Sequence, residues 1–330
     1  MQSRSAKAVA SIVDLCSRIG TIPPLQKIVK NLCAFLCQDA ELTPTFSRHP
    51  IEGILSFKRQ PSVSLHYRLS KDKDIPLPSE EILAARLTRR GAHLAFVELS
   101  AKFGPDLFDI LPAMWECMCG SLIATYHNGS LVLRSSSHVA DCTCIGEPTS
   151  ADEEMQNHPQ KGQDVVDNLV ILDAIVPTFH ERLWPRLYGL FPQMVLALRS
   201  QFAVIRQLAA QSFATICDIA TPEAMRYVID HVLPLLGDSL LLTNRQGAIE
   251  LIYRQFFLLL MCSRIDDVAD IVQKLDLKAL PYVLFMVVPV LGRMSDPNED
   301  IRAIATNTFA SLVKMVPLEV RSECYCSDNI

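Results

Sequence analysis

The sequence predicts an all-α fold, an α-solenoid of stacked antiparallel helix pairs with two long loop insertions. Three observations predict it. The skeleton Arg-x-x-Ala-x-x-x-(Phe or Ile) recurs at Arg89/Ala92/Phe96, Arg206/Ala209/Phe213, Arg245/Ala248/Ile252 and Arg302/Ala305/Phe309. Its arginines stand 117, 39 and 57 residues apart, and a degenerate copy at Asp167/Val170/Ala174 divides the longest gap into 78 and 39, so the unit is about 40 residues. Apolar residues around each copy follow helical spacing, as in Val204, Ile205, Leu208, Ala209, Ser212, Phe213, Ile216 and Cys217. Finally, glycine is scarce at 12 of 330 residues and proline reaches 20, which suits helices punctuated by proline turns.

Taken in order, residues 1–38 read as helix-like repeats, and 39–80 read as an irregular insertion because Pro44, Pro50, Pro61, Pro76 and Pro78 interrupt any period. Residues 81–124 read as helices, with FDILPAMWECMCGSLIAT as the first of a pair. Residues 125–163 form a polar, acidic insertion, and from Asp141 to Asp167 seven acids face one lysine. The array resumes over 164–319, where LFPQMVLAL, HVLPLLG and LFMVVPVLG supply first helices, and 320–330 form a tail. In the last unit Asp296 is expected to cap, Pro297 to take the first helical position and Glu299 to reach back as in a capping box. The small Ala of each skeleton lets neighbouring helices approach. The apolar residue one turn later fills the space beside it, so Phe309 is expected to be buried. The arginine is read as an intra-array hydrogen bond or ion pair to the adjacent unit.

With 49% hydrophobic and 20% charged residues the bulk of the chain can offset its folding entropy. The longest nearly uncharged apolar stretch, 279–292, is too short and too broken by Pro281 and Pro289 to span a bilayer. No long hydrophobic run opens the chain as a secretory signal would, and the odd total of 11 cysteines fits a reducing, intracellular setting. A net charge of −5 argues against a surface built to neutralise nucleic-acid phosphates, so a protein partner is expected, with DNA only indirect and no membrane.

No chemistry-bearing motif emerges. There is no G-x-x-x-x-G-K-[ST] loop and no G-x-G-x-x-G fingerprint. Asp152, Glu153 and Glu154 lack the apolar strand that would precede a metal-holding acidic pair, and a solvated loop is the better reading; they are also the candidate contact for a basic partner surface. His138, Cys142, Cys144 and His158 are zinc-type ligands, but C-x-C, like Cys117 with Cys119 and Cys324 with Cys326, is not the C-x-x-C knuckle. They are read as free thiols and ordinary histidines. The eight histidines, His93 and His180 among them, form no signature of nucleophilic catalysis. No catalytic, cofactor or metal residue is assigned, and the chain itself is read as no enzyme.

Helix pairs of this length with an arginine early in the second helix resemble HEAT repeats. Five strings carry the likeness further: NLCAFLCQDAELTP (31–44), RRGAHLAFVELSAKFG (89–104), LPAMW (111–115), QGAIE (246–250), and PYVLFMVVPVLGRMSD (281–296) followed by IRAIATNTFASLVKMVPLE (301–319). Together they resemble the HEAT-repeat arm of the TATA-binding-protein-associated factor 172 family, the modifier-of-transcription family of Swi/Snf-type ATPases. The resemblance implies a nuclear, protein-binding scaffold that grips the TATA-box-binding protein. It further implies a fragment lacking the motor, where ATP and Mg would act to strip that protein from DNA. An importin-type HEAT transport receptor is the alternative, and a thiol or zinc enzyme housed in 125–163 is a third reading.

Overall fold

The computed structural model describes residues 2–40, 42–46, 53–54, 80–127, 150–262 and 268–315. Every regular element among the described residues is helical. Helix α1 (Gln2–Ile19) ends where Gly20 adopts φ +76°, a conformation glycine enters without a Cβ penalty. The Gly20 N–H donates to Ser17 O and the Thr21 N–H to Cys16 O, which satisfies carbonyls that the helix end leaves open. Helix α2 (Ile22–Leu36) follows at once, with Pro23 in its first turn, where a missing N–H costs nothing. Helix α3 (Glu80–Phe103) is long, α4 (Leu107–Ile110) is a single turn, and α5 (Pro112–Thr125) again starts on proline.

Helix α6 (Ser150–Asn157) leads into α7 (Pro159–Ile175), and two short helices, α8 (Trp184–Tyr188) and α9 (Phe191–Leu198), lead into α10 (Ala203–Ile219). Helix α11 (Thr221–Tyr227) passes into a π turn at Val228–Val232 and a 3-10 turn at Leu233–Gly237, which together carry the expected HVLPLLG element. Three helices complete the described chain: α12 (Leu242–Cys262), α13 (Val268–Arg293) and α14 (Glu299–Met315).

Packing follows the repeat. Helices α1 and α2 lie on α3, α2 on α5, and α5 on α7; then α7 meets α10, α10 meets α12, and α12 meets α14, with α13 covering α14. The helices that carry the skeleton or its degenerate copy therefore stand side by side from α7 to α14. Ala92, Ala209, Ala248 and Ala305 are all buried, as are Phe96, Phe213 and Ile252, and one apolar cluster runs from Ala6 to Leu312. Each fully buried side chain of this size contributes about 1.5–3 kcal/mol. At Gly247 the approach is closest: a Cβ there would lie 1.8 Å from the Leu198 carbonyl oxygen, so only glycine lets α12 seat against the end of α9.

Several expectations need correction. Phe309 is only half-buried, and Thr308, fully buried one position earlier, takes the inner place because its Oγ1 donates to Ile304 O at 2.7 Å and leaves no hydroxyl unsatisfied. The N-cap of α14 is Asn298, whose Oδ1 accepts from the Ile301 N–H at 3.1 Å, so the helix starts at Glu299 and not at Pro297. Asp296 instead has a buried carboxylate paired with Arg245 and Arg293. Pro281 and Pro289 do not break α13, which runs through both. The insertion expected to be loop over 125–163 holds α6 and the first turn of α7. Within the 39–80 excursion, Thr43, Pro44, Phe46, Gly53 and Ile54 are buried. The 320–330 tail lies outside the described residues.

Candidate functional site

Three of the four skeleton arginines do the same thing. Arg206 Nη1 donates to Ser200 O and Gln201 O, both at 2.7 Å; Arg302 Nη1 donates to Asp296 O and Pro297 O, both at 2.8 Å; Arg245 Nη1 donates to Asp238 O at 2.7 Å. In each case the helix starts three residues before the arginine, at Ala203, Leu242 or Glu299. The guanidinium folds back over that turn and binds carbonyls of the incoming connection, which no helix hydrogen bond uses. Arg245 adds an ion pair, its Nε lying 3.0 Å from Asp296 Oδ2, and so ties α12 to the turn before α14. The degenerate copy has a carboxylate there: Asp167 Oδ1 accepts from Gln163 Nε2 at 2.9 Å, and burial raises its pKa.

Around Arg206 these contacts become a buried polar junction. The side chain is fully buried, and its Nη2 also donates to Gly53 O and Gln246 Oε1, both at 2.9 Å. Ser200, whose carbonyl receives Arg206, donates its Oγ–H to Asp152 Oδ1 at 2.5 Å and accepts the Phe202 N–H. Burial pulls the Arg206 pKa down to about 10, against the opposing pull of Glu250 and Asp152. One guanidinium thus joins α10, α12 and the 39–80 excursion. The excursion is held a second time by Phe46, whose ring packs 4.6 Å from that of Phe202 and whose N–H donates to Gln163 Oε1 at 2.9 Å.

The acidic triplet divides. Asp152 is buried and engaged by Ser200, so it is neither solvated nor open to a partner, contrary to the loop reading. Glu153 is exposed, and Glu154 is exposed but ion-paired with Lys161, which holds its carboxyl below the usual range. Among the zinc-type ligands, His158 is exposed before α7, while His138, Cys142, Cys144, Cys324 and Cys326 lie outside the described residues. No group able to hold a metal occurs among the described residues. Cys117 sits with Cys33 across the α2–α5 contact: the hydrogen bond from the Cys33 thiol, helped by Lys30, pulls Cys117 down to about 7 and pushes Cys33 up.

Sequence reasoning missed Asn168. Its Oδ1 accepts the N–H groups of Ser121 and Leu122 at 2.8 and 3.1 Å, and its Nδ2 donates to Cys117 O at 2.9 Å, so one amide enters the α5 ladder and pins α7 to it. It missed the role of QGAIE as well. Gln246 receives Arg206, Gly247 admits the Leu198 carbonyl, and Ala248, Ile249 and Glu250 are buried, so the string is the joint between α9, α10 and α12. Only the glycine inside a helical period could have signalled it.

Arg89 departs from its three counterparts. It opens onto a cleft of about 540 Å³ lined by Asp39, Leu42, Arg86, Arg89, Arg90 and His93, between α3 and the turn that follows α2. No single helix among the described residues is long and apolar enough to cross a membrane.

Helices alone make up the regular structure of the described residues, and Arg206, Arg245 and Arg302 tie three of them to their incoming connections, so the class is an all-α protein. Residues 1–117 match the family described as Domain of unknown function (DUF3535). Over 97% of its length the chain is 35% identical to TATA-binding protein-associated factor mot1 of Aspergillus fumigatus, 33% identical to TATA-binding protein-associated factor MOT1 of Saccharomyces cerevisiae and 25% identical to TATA-binding protein-associated factor 172 of Homo sapiens. It spans 15%, 15% and 18% of those proteins. The chain belongs to this family of TATA-binding-protein-associated factors.

Proposed function

We propose that this chain is a segment of a HEAT-type scaffold arm that binds the TATA-box-binding protein in the nucleus. The observation that carries the reading is the similarity to factors named for that protein, which extends over 97% of the chain. In this reading the removal of the TATA-box-binding protein from DNA, with its ATP and Mg, belongs to a Swi/Snf-type motor of the full-length factor. The segment itself acts by binding, and DNA enters only through the partner.

A stack of helix pairs suits that task physically. A continuous core resists bending, and the connections between helices offer a long surface on which a partner can be held. Carbonyls of those connections are tied to the helices by Arg206, Arg245 and Arg302, which limits how far the surface can shift between units. Glu153 supplies exposed negative charge on α6 for a basic partner surface, and Asp152 anchors the same helix from within. Calorimetric titration of the purified chain with the TATA-box-binding protein tests the proposal. Saturable binding is the expected outcome, and no heat or shift at concentrations that saturate the full-length factor would overturn it.

A further inference from the structure

We propose that the cleft beside α3 is a docking site for an acidic peptide segment of a partner protein, one that carries leucine or phenylalanine among its carboxylates. The starting point is the odd arginine. Where the helix begins three residues before the skeleton arginine, the guanidinium is used up on carbonyls of the incoming turn. Helix α3 begins at Glu80, nine residues before Arg89, so the carbonyls that would receive Arg89 lie inside the helix, where backbone N–H groups already take them. The extension of one helix leaves Arg89 without the carbonyl bonds that its three counterparts make, and it lines the cleft.

Arg89 is not alone there. Arg86, Arg89, Arg90 and His93 stand at i, i+3, i+4 and i+7, hence on one face of α3, and the opposite wall is Asp39 with Leu42. The side chains of Arg90 and His93 make no hydrogen bond or ion pair among the described residues. Among the described lining residues three guanidiniums stand against one carboxylate, which makes this wall of the cleft basic within a chain that is acidic overall. Planar guanidinium forks match carboxylates two bonds at a time. Leu83, one turn before Arg86 on the same face, is 43% exposed, and Leu42 is 51% exposed at the rim. Charge and apolar surface are therefore interleaved, which fits a peptide of alternating acidic and apolar residues. A phosphate backbone would leave these leucines uncovered, and Glu80 and Glu81 at the head of α3 would repel it.

The test uses the full chain and a fluorescein-labelled synthetic peptide of glutamates alternating with leucine and phenylalanine, read by anisotropy. Saturable binding is expected. It should weaken at least tenfold when the glutamates become glutamines, when salt is raised, or in the double variant Arg89→Glu with Arg90→Glu. Leu42→Ser, in the cleft wall, should weaken it as well and keeps the test open if the double variant misfolds. No saturable binding at millimolar peptide overturns the proposal, as does binding that survives both variants. Tighter binding of a single-stranded DNA oligomer, lost in the same variants, would replace it with a nucleic-acid site. None of these results bears on the TATA-box-binding protein, so this proposal can fail while the scaffold reading stands.

Discussion

Replacing Arg206 with methionine keeps most of the side-chain volume and removes the charge, the donors and nothing else. Four hydrogen bonds disappear, to Ser200 O, Gln201 O, Gly53 O and Gln246 Oε1. Bonds from a charged donor are worth about 1.5–3 kcal/mol each, and a buried acceptor left unpaired costs about 1–3 kcal/mol. Against this, the guanidinium's desolvation cost, roughly several kcal/mol, is recovered. The partners left behind decide the balance, because Asp152 and Glu250 lose their common counter-charge while buried, and breaking such an arrangement costs about 3–5 kcal/mol. A urea titration should show the loss as a midpoint lower by roughly 2 M, taking a slope of about 2 kcal/mol/M. Hydrogen exchange should place the damage: amides of α10 and of α12 lose protection while those of α1 and α2 keep it, since a stacked array transmits the loss mainly to neighbours. Arg206→Lys, which restores the charge without the fork, should fall between. An unchanged midpoint with unchanged exchange in α10 would refute the view that this junction holds the units together.

Other perturbations separate further parts of the account. Gly247→Ala drives a Cβ into the Leu198 carbonyl, a backbone atom that cannot swing away, and should lower the melting temperature by an amount equivalent to about 3 kcal/mol or more. Phe213→Ala, at a fully buried position stacked 5.0 Å from Phe191, should cost about 3–5 kcal/mol, and Phe309→Ala clearly less; equal losses in calorimetric scans would contradict the burial assigned here. Asp14 joins α1 to α3 through Lys102 Nζ at 3.0 Å, and that hydrogen bond, with Arg18 adding to it, holds the carboxyl below its usual range. Its contribution is present above the unfolded pKa of about 3.9 and is lost as pH falls through the lower folded value. Asp14→Asn should therefore lower the melting temperature at neutral pH, with the difference vanishing on acidification well below pH 4.

The helical layer was legible because it rests on local spacing. Ala209, Phe213, Ala248 and Ile252 occupy the stripe their period assigns, whereas the helix starts at Pro112 and Pro159 escape that reading, the first lying inside an expected helix and the second inside the expected insertion. What escaped depends on residues far apart in the chain. Asp152 looks like one of three solvated acids until Ser200 and Arg206 stand beside it, and Phe46 looks like a loop aromatic until it meets Phe202. Asp296 has the chemistry of a cap, yet Arg245, 51 residues earlier, claims the carboxylate and leaves capping to Asn298. Thr308 displaced Phe309 because a threonine can hide its hydroxyl on the preceding turn, which no hydrophobic period reveals. Arg89 shows the same limit in reverse: the skeleton is intact, but an earlier helix start changes what the arginine can reach.

The central claim is that this segment holds the TATA-box-binding protein on a surface fixed by the helix stack. Hydrogen exchange of the full chain, with and without saturating TATA-box-binding protein, tests it most directly. The account predicts added protection in a contiguous set of helix connections, reversed by salt if Glu153 and its acidic surroundings take part. Identical exchange at every described amide, under conditions where the full-length factor binds, would contradict it.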